Sequence, residues 1–127
     1  MPTGKFIVKS SSSGGIRFNL HATNGQIIAT SDSFADMDSC LHTIEVIRVI
    51  TVTAGLEDQT LKSYTPLELP KFEIYRDKAG EFRFRLKGES GKILLVGEGY
   101  KAKASCQKGI QSIRKNAPVA SLEIDLL

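Results

Sequence analysis

Sliding this chain against itself by 66 positions lays residues 5–61 on residues 71–127 without a gap, and 17 of the 57 aligned positions are identical. The identities include Lys5/Lys71, Phe6/Phe72, Gly14/Gly80, Arg17/Arg83, Phe18/Phe84, Leu20/Leu86 and Gly25/Gly91. They continue through Cys40/Cys106, Ile44/Ile110, Ile47/Ile113 and Arg48/Arg114, so they cover the whole unit and mark a tandem duplication. Pro66 and Pro70 suit the intervening residues 62–70 to an extended connector. A unit of 57 residues has too little core to be more than marginal alone, whereas the full 127 residues can bury roughly two-thirds of their unfolded surface. The repeat therefore predicts a single domain, 1–127, built of repeat 1 (5–61), a linker (62–70) and repeat 2 (71–127).

Each unit reads β-β-β-α-β. In the second, Phe72–Arg76 is β-prone and Asp77-Lys-Ala-Gly80 is a turn. Phe82–Lys87 then alternates strictly, with Phe82, Phe84 and Leu86 on one face and Arg83, Arg85 and Lys87 on the other. Glu89-Ser-Gly91 turns into a third strand, Lys92–Val96. The period then changes, and Cys106, Ile110 and Ile113 fall at helical spacing within Ala102–Lys115. Gly109 weakens this helix, and Asn116-Ala-Pro118 stops it. Ser121–Leu127 returns to strand alternation, with Leu122, Ile124 and Leu126 on one side. The first unit repeats the order, with Ser11–Gly15 and Asn24-Gly25 as its turns and Asp36 or Asp38 as the helix cap. Its helix is expected to run to about Val49, because Val49–Thr53 is β-branched and also reads as strand.

Lys71-Phe-Glu-Ile-Tyr75, Gly80-Glu-Phe-Arg-Phe-Arg-Leu86, Glu98-Gly-Tyr100, Lys103-Ala-Ser-Cys106 and Lys115-Asn-Ala-Pro118 resemble the YegP-like family. These are small bacterial and archaeal tandem-repeat domains of unknown function. The resemblance is specific in the second unit and degraded in the first, where Ser10–Ser13 replaces the charged turn and Thr43 stands in place of Gly109. It implies an α+β fold: two β(3)-α-β units in one antiparallel sheet, two helices on one face, and swapped C-terminal strands.

The residues themselves announce no chemistry. Cys40 and Cys106 lie on the apolar stripes of their helices, where a thiol acts as a small hydrophobe; a disulfide between them is the alternative. Neither His21 nor His42 has metal-ligand or catalytic partners at suitable spacing. Ser10–Ser13 with Gly14-Gly15 lacks the Lys and helix of a phosphate loop. No enzyme, cofactor or metal site is expected.

The net charge of +3 is unevenly divided: residues 1–66 carry −1 and residues 67–127 carry +4. If helices cover one sheet face, Arg83, Arg85 and Lys87, with Arg17 and His21 as their first-unit counterparts, decorate the other. A basic sheet face suits single-stranded nucleic acid or another phosphate ligand. The plainer reading is a solvated face that keeps the protein soluble. The chain is thus expected to be a small non-enzymatic module that binds a protein or another macromolecule, or is stress-associated, with weak single-stranded nucleic-acid binding through that face as the alternative. No run of residues is apolar enough to span a membrane, and two thiols without other oxidising-compartment signals point to the cytoplasm. A monomer or weak homodimer is expected.

Overall fold

The computed structural model describes residues 3–126. The first unit supplies strands β1 (Lys5–Ser10), β2 (Ile16–His21) and β3 (Ile27–Thr30), helix α1 (Met37–Thr53) and strand β4 (Gly55–Asp58). The second supplies β5 (Lys71–Arg76), β6 (Phe82–Lys87), β7 (Ile93–Gly97), helix α2 (Lys103–Asn116), a 3-10 turn at Ala117–Val119, and β8 (Ser121–Asp125). All eight strands form one sheet in the order β4-β5-β6-β7-β3-β2-β1-β8.

This order is a strand exchange. β4 leaves the first unit and pairs with β5 of the second, while β8 leaves the second and pairs with β1 of the first. Both outer pairings are parallel and the six inner strands are antiparallel, so the sheet is mixed where a wholly antiparallel one was expected. The exchange causes this: within its own unit the last strand follows a helix, and it reaches the far edge running in the same direction as its new neighbour. The halves meet at β3 and β7, where Thr30 pairs with Val96. These two residues are 66 apart, hence counterparts, and the pseudo-twofold axis passes through them.

Alternation along the strands puts Phe6, Val8, Phe18, Leu20, Phe72, Ile74, Phe84 and Leu86 in a core closed by both helices. Cys40, Ile44 and Ile47 of α1, and Cys106, Ile110 and Ile113 of α2, complete it. Gly97 on β7 lies flat against the Phe84 ring, which leaves no room for a Cβ. Gly109 brings α2 close to Tyr100 and Phe84. The residue that weakens the helix by propensity is thus the one that seats it.

Asp36 caps α1 by accepting from the Ser39 amide at 2.8 Å. The helix continues to Thr53, one turn beyond the expected end at Val49. Two contacts explain the extension. Ile50 and Thr51 are buried, and Arg114 of α2 donates to the Thr51 carbonyl at 2.9 Å. The counterpart arginine reciprocates, since Arg48 donates to the carbonyls of Ala117 (3.1 Å) and Ala120 (2.6 Å). Arg114 thus satisfies a carbonyl that the end of α1 leaves without a partner, and Arg48 ties down the 3-10 turn that follows α2.

Both cysteines are buried and free. Burial raises both thiols, Cys106 to about 11, with the Asp58 carboxylate adding to the effect there. A thiol held protonated in the core is a poor nucleophile. Native protein is therefore expected to react with a thiol reagent only as fast as it unfolds; rapid labelling of either cysteine would contradict this packing.

Candidate functional site

The sheet face turned away from the helices carries the residues singled out as a basic surface. In the second unit they are neutralised from within. Arg85 donates from Nε to Glu73 Oε1 at 2.6 Å, and the Lys87 ammonium lies 3.2 Å from the same oxygen. Lys71 bridges Glu73 (3.2 Å) and Glu57 (2.7 Å). The linker joins this cluster, because the Leu67 amide donates to Glu57 Oε1 at 2.7 Å. Glu57 and Glu73 retain 2% and 1% exposure, so these are desolvated carboxylates matched by cations. Burial alone pushes the Glu57 carboxyl up, but hydrogen bonds from Lys71, Gln59 and the Leu67 amide outweigh it and hold it down at about 2. Glu73 is likewise raised by burial and, on balance, lowered by Arg85, Lys87 and Lys71. Arg83 pairs with Asp77 at 2.9 Å and reaches the Gly97 carbonyl. The Arg85 guanidinium also lies 4.3 Å above the Tyr75 ring, occupying a face on which a base would stack.

The first-unit face differs. Ile7 stands where Glu73 stands, and Asn19 where Arg85 stands, so no equivalent cluster forms. Arg17 is exposed, while His21 is half-buried with Nδ1 donating to the Gly25 carbonyl. The Nε2 of His21 and the Oδ1 of Asn19 are buried without partners. β2 and β6 are separated by β3 and β7, three strand spacings or about 14 Å. Arg17 and His21 therefore share a face with Arg83, Arg85 and Lys87 but do not converge with them.

The helical side offers a different feature. Between α1 and the β6–β7 hairpin lies an open groove of about 610 Å³. Val46, Val49 and Ile50 line one wall; Gly88, Glu89, Ser90 and Leu94 line the other. Val49 is 70% exposed, and Val52, one turn on, is 61% exposed. Glu45 stands on the α1 rim, 67% exposed although it accepts from Arg48 Nε at 2.9 Å, and His42 lies beside it. The counterparts of Val46, Val49 and Ile50 are Ser112, Lys115 and Asn116, and that of His42 is Lys108. One backbone frame thus carries an apolar groove with acidic rims on one side and a polar, basic surface on the other.

A sequence profile described as a domain of unknown function, DUF1508, matches residues 11–58 and 77–123, once in each unit. The chain belongs to the DUF1508 family. A UPF0339 protein of Pseudomonas aeruginosa is 32% identical over 118 residues, spanning 93% of this chain and 94% of that protein. A UPF0339 protein of Treponema denticola is 58% identical over 52 residues, which are 41% of this chain but 90% of the relative, so that DUF1508 relative is about one unit long. The solution structure of yegP from E. coli, a protein of unknown function, superimposes with a TM-score of 0.79 at 25% identity, covering 99% of this chain and 96% of that one. UPF0339 protein SO3888 from Shewanella oneidensis shares the fold, with a TM-score of 0.78 at 21% identity. Family membership fixes the architecture and names no activity. No helix among the described residues is long and apolar enough to cross a membrane.

Sequence reasoning did not single out Glu57, Glu73 or the groove. The signal for the carboxylates was a charged residue inside each strand, with Glu57 retained at Glu123 in the other copy. The signal for the groove was a row of valines lying off the Cys40–Ile44–Ile47 stripe.

Proposed function

We propose that the protein is a non-enzymatic interaction module whose partner is another protein, bound in the groove between α1 and the β6–β7 hairpin. The observation that carries this is the divergence of the copies: the shared core is kept, while the α1 wall of the groove is apolar where its counterpart carries Ser112, Lys115 and Asn116. Val49 and Val52 are exposed and continue the half-buried Val46; such a row is costly to maintain in water and is the kind of surface that partners cover. The nucleic-acid alternative finds less support, because Arg83, Arg85 and Lys87 already have carboxylate partners and Arg85 covers Tyr75.

The two readings separate in a pair of titrations of isotope-labelled protein followed by NMR. Amphipathic peptides are expected to move the amide resonances of Val46, Val49, Ser90 and Leu94. Single-stranded DNA at low salt, where electrostatic affinity is greatest, is expected to leave Arg17, Arg83, Arg85 and Lys87 unmoved. Peptides that leave the groove unmoved would end the proposal, and a salt-dependent shift of the sheet face would favour nucleic acid.

A further inference from the structure

Resting on that reading, we infer that the groove takes a cationic amphipathic segment of a partner protein: apolar side chains at three- to four-residue spacing, flanked by Lys or Arg. Three observations define this occupant. First, Val46, Val49 and Val52 are spaced by three residues and form one ridge along α1, about 4.5 Å per step. A ridge of this spacing beside an open groove receives another row of side chains at helical spacing.

Second, the apolar surface does not end with the groove, because Val52 continues it. A compact ligand would leave that residue wet, whereas a segment of two or three turns covers it. Third, the rims are acidic on both sides. Glu45 stands on α1, and Glu89 on the hairpin forms no ion pair among the described residues. The matching surface of the second unit carries Lys108 and Lys115, so the sign of the charge is specific to the groove and is not a property of the frame. Opposite charge on the partner's flanks fixes its register and speeds encounter, while like charge excludes wrong partners.

Three synthetic peptides of equal length test this. The first has leucines at three- and four-residue spacing with lysines elsewhere, the second replaces every Lys with Glu, and the third replaces every Leu with Ser. The Leu/Lys peptide is expected to shift the groove resonances and bind at least about tenfold more tightly than the Leu/Glu peptide, a difference of about 1.4 kcal/mol. Glu89→Gln is expected to narrow that ratio, and Val49→Lys or Val46→Ser to abolish the shifts. These two replacements carry the residues already borne at Lys115 and Ser112, and Glu89 lies in an exposed turn, so at least one informative variant keeps the fold. Equal binding of both Leu peptides would overturn the cationic preference and leave the groove as a protein site. Binding of the Ser/Lys peptide as tight as that of Leu/Lys would overturn the amphipathic requirement. Groove resonances that move on dilution of the protein alone would assign the site to a second copy. Silence of the groove toward all three peptides would remove the proposed function itself.

Discussion

A chain cut within the linker is expected to yield halves that do not fold as monomers. Each half loses the strand that flanks its first strand, since β1 is paired by β8 and β5 by β4. Each also loses an arginine of the other unit, Arg114 on the end of α1 and Arg48 on the 3-10 turn after α2. What remains is a single helix on a few strands, at a size where even a complete core is marginal and this one has lost its edge strand and the arginine at its helix end. Circular dichroism of either half at low micromolar concentration should show no cooperative thermal transition, and mixing the halves should restore one. A half that melted cooperatively, independently of concentration, would show that the units are separate domains.

The two halves are not expected to behave alike at high concentration. A homodimer of the second unit would place β8 of one copy beside β5 of the other. Glu123 would then take the place of Glu57 beside Lys71, and Ile124 would join Ile74 on the core face, where Asp58 now stands. The first is neutral, and the second trades the Asp58–Lys103 pair for an apolar contact, leaving only Lys103, whose long side chain can reach water. A homodimer of the first unit would place Asp58 beside Val8, with Met37 at the position of Lys103, its present ion-pair partner. A carboxylate would be left at the edge of the core without a cation, which is costly. The second half should therefore dimerise by sedimentation or size exclusion where the first does not. By the same physics, a DUF1508 relative about one unit long is expected to complete its sheet with a second copy.

What the residues revealed in advance, and what they hid, divides by the range of the interaction. The strands were legible because Phe82–Lys87 alternates within six residues, and the hairpins because Gly25 and Gly91 both adopt φ near +85°, a conformation their turns require. The end of α1 was not legible. Its β-branched last turn favours strand by local propensity, and the contact that overrides this comes from Arg114, 63 residues away. The parallel edges were hidden for the same reason, because β1 pairs with residues 116 positions further along the chain. The basic face was legible as a row of cations. Its neutralisation was not, because it depends on the β5–β6 register that sets Glu73 opposite Arg85, and only the second carboxylate on Lys71, Glu57, comes from the other repeat through the exchange of β4. The groove was legible in part. Val46, Val49 and Val52 stand off the core stripe, but which surface faces them depends on the pseudo-twofold that sets the β6–β7 hairpin opposite α1.

Replacing Glu73 is expected to cost on the order of 3–5 kcal/mol, the range for removing one partner from a buried ion pair. Glu73 is 1% exposed and neutralises Lys71, Arg85 and Lys87 together. Its loss leaves Arg85 and Lys87, neighbours on one face of β6 and only 24% and 26% exposed, without their shared carboxylate. Glu73→Ile tests this with the residue the first copy carries at Ile7, so the backbone frame is known to accept it. Urea denaturation should show the midpoint falling with little change in slope. Adding Arg85→Asn, the counterpart at Asn19, should recover part of the loss, since it removes a cation that has no partner left. If Glu73→Ile alone is neutral, the cluster is a decorated surface and the carboxylate is not structurally required. The same cluster sets a response to acid. Glu57 titrates at about 2 in the folded chain against an ordinary value of 4.5, so the folded state binds fewer protons than the unfolded state between those values. Its contribution is complete above about pH 4.5 and disappears as the pH falls toward 2, with Glu73 shifted in the same direction. Glu57→Gln should therefore lower stability at neutral pH and flatten the loss between pH 5 and pH 2, because the group that must take up the proton is gone. A variant curve parallel to that of the parent chain would place the acid-labile interaction elsewhere.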